Sequence, residues 1–264
     1  MNGGAIEKSV TARGRLATPK ARIGVILPTS NRMIEPQFMH YLPADLGVHF
    51  ARARITGKWA APIAELVPEI ARAASALADS KPDLIVFNCT ATSMKEGIAG
   101  DATILDTIRK ETGIEAMSTA AAANKALHAM RMRRFVLITP YVQSSNDHEI
   151  DYFRDQGFEV AHDVALGLSG GDQFITVPPE RWIELALAND HPGSDGFFLS
   201  CTNTTQIEAV EAIERATGKP AINSNQAVLW ACLERLGATL KTIGTSPIPG
   251  RLGALSAAVS SAAE

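Results

Sequence analysis

The feature that most constrains the fold of this chain is an internal duplication. The segment DLIVFNCTATS at 83–93 is followed by a similar segment, DGFFLSCTNTT, at 195–205. Their cysteines, Cys89 and Cys201, are separated by 112 residues (201 minus 89). Solenoid repeats are only about 20–50 residues long, so a repeat of this length is a larger structural unit. The sequence therefore predicts two similar halves.

The two halves also match at their first apolar runs. RIGVILPTS at 22–30 and RFVLITPY at 134–141 contain Pro28 and Pro140, again 112 residues apart (140 minus 28). Such runs are typical of strands buried on both faces, and helical patterns alternate with them, which indicates parallel sheets. We expect an α/β fold of two pseudo-symmetric lobes, each a short, mostly parallel sheet flanked by helices. Because ligands of such sheets bind at the carboxyl ends of the strands, we expect the active site between the lobes.

The chain is expected to divide into three parts. Residues 1–21 are polar, lack the apolar centre of a secretory signal, and are predicted to form an N-terminal extension. Residues 22–117 together with 222–264 are predicted to form lobe 1, and residues 118–221 to form lobe 2.

The composition narrows the range of functions. Hydrophobic residues make up 46% and charged residues 20% of the chain, and the net charge is -3, which does not favour a nucleic-acid-binding surface. No apolar run reaches the roughly 18 residues that a membrane helix needs. The three cysteines include no C-x-x-C pair, so neither a disulfide framework nor a zinc site is predicted. We expect a cytoplasmic protein without a metal, nucleic-acid or membrane partner.

The repeated cysteines are the strongest candidates for chemistry. Cys89 and Cys201 each follow a predicted strand, and we expect each to precede a helix whose N-terminal N–H groups favour the thiolate. The alternative is a small buried apolar side chain, the commonest environment of cysteine. The matched positions favour the first interpretation, whereas Cys232 in AVLWACLERL is predicted to pack in the core. The neighbouring residues predicted to bind substrate are Asn88, Thr90, Ala91, Thr92, Thr202, Asn203 and Thr204.

The loops after the two proline-containing strands are further candidates for substrate binding. Thr29, Ser30 and Asn31 follow the first strand, and Tyr141 follows the second. Their hydroxyl, amide and phenol groups can donate hydrogen bonds to a carboxylate. Ser30 and Asn31 are also compatible with a helix cap, and Tyr141 with a packing role. A capped helix start can itself bind an anion, so the first two interpretations do not exclude each other.

Several common catalytic motifs are missing from the sequence. There is no G-x-G-x-x-G after a strand, no Walker loop and no G-x-S-x-G, so dinucleotide, ATP and serine-hydrolase chemistry are not favoured. The histidines are scattered, and none follows a strand that is predicted to reach the site, so each is expected to be a surface or core residue. They are His40, His49, His128, His148, His162 and His191.

Four segments together resemble the aspartate/glutamate racemase superfamily. Within it they look most like the maleate cis–trans isomerases, with arylmalonate decarboxylases as relatives. The segments are GVILPTSNRMIEPQF, NCTATS, ITPY and SCTNTTQIEAVEAIERATGKPAINSNQAVLW. The resemblance runs from about Arg22 to Gly237.

The resemblance implies an enzyme that needs no cofactor. In maleate isomerases the first cysteine is the nucleophile, which corresponds to Cys89, and the second is an acid/base or assisting thiol, which corresponds to Cys201. Asn31 and Tyr141 correspond to residues that hold the substrate carboxylates. A small carboxylate is thus the expected partner, and because family members often self-associate, a homo-oligomer is expected.

One segment departs from the isomerase pattern. Maleate isomerases carry an asparagine where LGLSGGDQFITVPPE has Gly171 or Asp172, and a carboxylate facing the substrate there would repel it. Both cysteines are present, which argues against a decarboxylase, because the decarboxylase relatives lack the first. The favoured prediction is isomerisation of maleate to fumarate by thiolate addition, bond rotation and elimination. The alternatives are a two-cysteine amino-acid or hydroxy-acid racemase, an arylmalonate decarboxylase-like enzyme and a non-catalytic carboxylate-binding protein.

Overall fold

A computed structural model of the chain describes residues 18–43, 45–55, 57, 61–240 and 248–261. Residues 1–17, most of the predicted N-terminal extension, lie outside the described residues. Within the described ranges, no helix has the length and apolar character that crossing a membrane requires.

Eight strands in the described ranges form two four-stranded parallel sheets. They are β1 (Ala21–Pro28), β2 (Leu46–Ala53), β3 (Leu84–Phe87), β4 (Ala116–Ser118), β5 (Arg134–Thr139), β6 (Glu159–Ala165), β7 (Gly196–Leu199) and β8 (Ala221–Asn223). The strand order is β2-β1-β3-β4 in the first sheet and β6-β5-β7-β8 in the second. The same order in both sheets confirms the predicted α/β fold with two pseudo-symmetric halves.

The two halves of the sequence repeat also pair their strands in the same register. Ile23 pairs with Leu84 in the first sheet, and Phe135 pairs with Gly196 in the second. The equivalent residues are 112 positions apart in both strands (135 minus 23, and 196 minus 84). The duplicated cysteine segments therefore follow equivalent central strands, β3 and β7.

Helices connect the strands, as parallel pairing requires. They are α1 (Ile34–Tyr41), α2 (Ile63–Ala78), α3 (Thr90–Met94), α4 (Gly97–Thr112), α5 (Thr119–Ala129), α6 (Gln143–Asp155), α7 (Gly171–Phe174), α8 (Pro179–Ala188), α9 (Gln206–Thr217), α10 (Ser224–Leu240) and α11 (Gly250–Ser261). Successive side chains of a strand point to opposite faces, so β1 contributes to two cores. Val25 and Leu27 belong to a core that also contains residues of the second sheet, such as Phe135, whereas Ile26 packs with residues of α2 and α4.

Two helices end at equivalent glycines. Gly113 follows α4 with a φ of 70°, and Gly218 follows α9 with a φ of 71°. A side chain at such a positive φ is costly, so glycine ends both helices and turns the chain toward the next short strand.

Four elements were not predicted from the sequence: β2, α1, α7 and α11. The strand β2 lies at the edge of the first sheet, and most of its residues are only half-buried. Its sequence, LGVHFARA, therefore lacks the continuous apolar run of the central strands. The helix α7 has only four residues, too few for a helical pattern to be visible in the sequence.

Candidate active site

The carboxyl ends of the central strands border a cavity of about 620 Å³. This location is the one expected for ligands of parallel α/β sheets. Nine predicted residues line it: Ser30, Asn31, Cys89, Thr90, Ala91, Tyr141, Cys201, Thr202 and Asn203. The structure thus brings both duplicated cysteines and both predicted loops to one cavity, although they come from opposite halves of the sequence.

Cys89 lies between β3 and α3, and its side chain is buried. Its thiol donates a hydrogen bond to the Thr92 hydroxyl, with a sulfur–oxygen distance of 3.2 Å. Burial raises the pKa of Cys89, while the Thr92 hydroxyl and backbone N–H lower it in part. The N–H group at the start of α3 favours the thiolate as expected, but the loss of water around the buried sulfur outweighs this effect.

Cys201 has a different local structure from Cys89. Its φ of 150° is strained for a residue with a side chain, and α9 begins only at Gln206. The prediction that Cys201 directly precedes a helix is therefore wrong. The Asn203 N–H donates to the Cys201 sulfur at 3.3 Å, and the Ser224 hydroxyl accepts from the Cys201 N–H at 3.1 Å. These contacts hold the thiol in place despite the strain.

Tyr141 interacts directly with the second thiol. Burial raises the pKa of Cys201 to about 12, and hydrogen bonds from the Tyr141 hydroxyl and the Asn203 N–H oppose this rise. The pKa of Tyr141 itself lies well above its ordinary value, mainly because the ring is buried. The phenol is therefore a hydrogen-bond donor to sulfur. Its ring also packs edge-on against Phe174, with 5.6 Å between ring centroids.

Asn31 both caps a helix start and lines the cavity. Its Oδ1 accepts from the N–H groups of Met33 and Ile34 at 3.0 Å each. Its Nδ2 donates to the backbone carbonyl of Thr202 at 3.2 Å and to the Thr202 hydroxyl at 3.3 Å. The neighbouring Arg32 N–H donates to Asn203 Oδ1 at 2.9 Å. These bonds tie the first loop of one half to the cysteine loop of the other.

Four residues that were predicted to bind substrate do not line the cavity. The Asn88 amide donates to Asn225, and the Thr92 hydroxyl accepts from a cysteine. The Thr204 hydroxyl donates to Gln206, and the Thr29 N–H donates to a backbone carbonyl at the end of β2. Side chains after a strand alternate in direction, so only some members of each run can face the cavity. The residues without a place in the lining are Thr29, Asn88, Thr92 and Thr204.

Several residues that line the cavity were not predicted. They are Pro28, Gly57, Lys95, Val142, Ser144, Ser145, His148, Leu168, Ser169, Gly171 and Phe174. His148 is an exposed residue of α6, as expected for a surface histidine, and it also lines the cavity, three and four positions after two serines that line it as well. Residues three and four positions apart lie on the same face of a helix, so this spacing in the segment after Tyr141 could have indicated that the serines and His148 face the cavity together.

Lys95 contributes a positively charged side chain to the lining of the cavity. Its side chain is half-buried, and its Nζ donates to the backbone carbonyl of Ala61. No carboxylate forms an ion pair with it among the residues that the structure describes. The described lining also contains no aspartate or glutamate. This surface therefore suits an anion better than a cation.

The departure from the isomerase pattern has a structural explanation. Asp172 does not line the cavity; its side chain is 93% exposed and forms an ion pair with Arg32. Gly171 lines the cavity instead, and its carbonyl accepts from the Asn203 amide at 3.3 Å. The repulsion expected if Asp172 faced the substrate is thus avoided in this arrangement.

A buried carboxyl group behind the cavity was missed by the sequence analysis. Glu149 on α6 is only 1% exposed, and neither of its carboxyl oxygens has a hydrogen-bond partner among the described residues. Burial raises the pKa of Glu149 to about 8. No group of three or more metal-ligating side chains occurs in the part of the chain that the structure describes.

Comparison with solved structures places the fold in a known class. The Nocardia farcinica maleate cis–trans isomerase bound to Tris superposes with a TM-score of 0.79 at 23% identity, covering 90% of this chain and 99% of that chain. An arylmalonate decarboxylase structure gives a TM-score of 0.74 at 22% identity, covering 89% and 99%. The molecule therefore has the two-sheet α/β fold of these enzymes.

The sequence comparisons identify the family. The family model described as arylmalonate decarboxylase matches residues 23–248, so the chain belongs to the arylmalonate decarboxylase family. The maleate isomerase of Pseudomonas putida is 26% identical over 228 residues, which cover 81% of this chain and 91% of that protein. The arylmalonate decarboxylase of Bordetella bronchiseptica is 25% identical over 154 residues, covering 58% and 64%. The chain is therefore an enzyme related to both.

Proposed function

We propose that this enzyme interconverts the cis and trans forms of a small unsaturated dicarboxylate, with maleate and fumarate as the best candidates. The observation that carries the proposal is the convergence of Cys89 and Cys201 on one cavity lined by hydroxyl and amide groups. The Pseudomonas putida relative is a maleate isomerase. A solved Nocardia farcinica isomerase, with one cysteine changed to serine, holds a covalently bound succinylcysteine intermediate. Both support thiol addition as the chemistry.

The proposed reaction begins at Cys89. Its thiolate forms a carbon–sulfur bond to one alkene carbon, and the alkene electrons move to the neighbouring carbon beside its carboxylate. Cys201 transfers its thiol proton to that carbon, so the former double bond becomes a single bond and rotates. The Cys201 thiolate then takes the proton back, and the carbon–sulfur bond breaks to release the trans isomer. Atoms and charge balance, and no cofactor is consumed.

The burial of the thiols makes the first step of this reaction, formation of a thiolate, energetically costly. Because burial raises the pKa of Cys89, its thiolate is costly until hydrogen bonds compensate. The Thr92 hydroxyl already opposes the cost. The lining includes two exposed residues, Ser144 and His148, so solvent reaches the cavity and can take up the Cys89 proton before substrate fills the site. Once substrate excludes water, the remaining interactions with developing charge become stronger.

Two regions of the cavity would hold the two carboxylates. The loop of Ser30 and Asn31 lies against Thr202 and Asn203 and supplies neutral hydroxyl and amide groups. Lys95 supplies the positive charge and three ammonium protons, of which the Ala61 carbonyl accepts one. We propose that Lys95 binds one carboxylate of the substrate, a role that the sequence analysis did not foresee.

A two-thiol racemase is the second candidate, because one thiol could remove an α-proton while the other returns it. The described lining lacks a carboxylate that could pair with a substrate ammonium group. This observation favours a substrate without an amine, such as a dicarboxylate or a hydroxy acid, over an amino acid.

The test is a substrate panel followed by proton NMR in deuterated water without added cofactor. Conversion of maleate to fumarate, abolished in Cys89→Ser, is the expected result. Deuterium at an α-carbon with loss of optical rotation would instead identify a racemase, and release of carbon dioxide from an arylmalonate would identify a decarboxylase. Turnover that survives in both Cys89→Ser and Cys201→Ser would contradict the proposed site.

A further inference from the structure

The first two residues of α10, Ser224 and Asn225, have no role in the reaction as drawn so far. Both are buried, and neither lines the cavity. The Ser224 hydroxyl accepts from the Cys201 N–H, as described above. The Asn225 N–H donates to the side-chain oxygen of Asn223 at 2.9 Å, which fixes the start of the helix at the end of β8. The start of α10 therefore packs directly against the loop of the second thiol.

The side-chain amide of Asn225 contacts the loops of both thiols. Its Nδ2 donates to the backbone carbonyl of Thr202, the residue after Cys201, at 2.9 Å. Its Oδ1 accepts from the amide of Asn88, the residue before Cys89, at 3.2 Å. One side chain thus joins the two cysteine loops, although these loops belong to opposite halves of the sequence.

Two further side chains complete a buried polar network around Asn225. Its Nδ2 also donates to Gln37 Oε1 at 2.6 Å, and Gln37 Nε2 donates to the Thr204 carbonyl at 2.8 Å. The Thr119 hydroxyl donates to Asn88 Oδ1 at 2.8 Å. None of these four side chains, those of Gln37, Asn88, Thr119 and Asn225, is more than 5% exposed. A buried polar group that loses its partner is costly, so the network favours a single arrangement of the loops.

We propose that Asn225 is the positioning residue of the two-thiol site: it holds the loops of Cys89 and Cys201 at a fixed separation, so that both thiols reach one substrate molecule. The Thr92 hydroxyl and the Asn203 N–H contact one sulfur each, so they set the surroundings of a thiol but not the distance between the loops. That distance matters because reacting atoms must lie about 3–3.5 Å apart before the transition state. The proposal rests on the proposed function only in that both thiols act on the same substrate.

The first experiment compares Asn225→Ala with the matched control Asn124→Ala. Asn124 also presents an amide from a helix, but this amide bonds to the Tyr152 hydroxyl instead of a cysteine loop. With whichever substrate the wild type converts, Asn225→Ala is expected to lower kcat about tenfold or more and to change KM less than about threefold, because the groups that bind substrate remain while the sulfurs lose their mutual placement. Asn124→Ala is expected to match the wild type. A wild-type kcat in Asn225→Ala, or an effect confined to KM, would overturn the proposal.

Hydrogen exchange followed by mass spectrometry tests the link between the loops without substrate. In Asn225→Ala, backbone exchange is expected to rise together in the peptides that contain Cys89 and Cys201, because one side chain restrains both loops. The peptides of α2 serve as the internal reference and are expected to exchange as in the wild type. A rise in only one of the two loops, or an equal rise in α2, would contradict the proposal even if the wild type converts none of the substrates tested.

Gln37→Met keeps the test decisive if Asn225→Ala does not fold, which circular dichroism would show. Methionine is close to glutamine in size, but it lacks the amide that bonds to Asn225 and to the Thr204 carbonyl. The expected result is a fall in kcat of about threefold or more at nearly unchanged KM, because one support of the Asn225 amide is lost. Wild-type kcat in Gln37→Met would overturn the proposed network.

Discussion

Replacing Tyr141 by phenylalanine removes one hydroxyl and keeps the ring that packs against Phe174. The lost hydrogen bond runs from the phenol to the Cys201 sulfur and favours the thiolate. A hydrogen bond to a charged group contributes about 1.5–3 kcal/mol. One pKa unit corresponds to about 1.4 kcal/mol, so the pKa of Cys201 should rise by about one to two. If the thiolate forms during turnover, kcat should fall by about 10- to 150-fold.

The assay for this prediction is alkylation of Cys201 against pH in a variant that lacks the other two cysteines. The profile of Tyr141→Phe is expected at higher pH than that of its parent. Tyr152→Phe is the matched control, because the Tyr152 hydroxyl bonds to the Asn124 amide at 2.8 Å instead of to a thiol. A Tyr141→Phe profile that is unmoved, or a Tyr152→Phe profile that shifts equally, would refute the reasoning.

Three other predictions concern Lys95, Thr92 and Glu149. Lys95→Gln should raise KM for a dicarboxylate by about tenfold or more, with Lys95→Arg closer to the wild type in steady-state kinetics. Thr92→Val removes a group that lowers the pKa of Cys89, so alkylation of Cys89 alone should move to higher pH. The pKa of Glu149 is higher in the folded state, about 8, than its ordinary 4.5. Unfolding free energy should therefore fall as pH rises between these values, and urea titrations of Glu149→Gln should show a flatter dependence.

The duplication made much of the fold predictable. Strand pairing in a parallel sheet depends on buried apolar runs, and those of β1, β3, β5 and β7 are plain in the sequence. Because equivalent strands end in equivalent loops, the convergence of Cys89 and Cys201 on one cavity could also be expected. The strained backbone of Cys201 could not be predicted from the sequence, because a positive φ is usually indicated by a glycine and this position is a cysteine.

The helices of the site were harder to read than its strands. Along α6 the buried positions include Asn146, Glu149, Tyr152 and Phe153. Polar residues occupy half of this buried face, so the apolar periodicity that normally marks a core-facing helix is weak. Lys95 was missed for a related reason, because the direction of its side chain depends on how α3 packs against α6.

The most direct test of the account is the identity of the cysteine that bonds to substrate. A Cys201→Ser variant incubated with maleate, digested and analysed by mass spectrometry should carry a succinyl adduct on the peptide that contains Cys89. Cys232, which is fully buried in the core, should remain unmodified in the folded protein. An adduct confined to another residue, or no adduct while the wild type isomerises maleate, would contradict the assignment of Cys89 as the nucleophile.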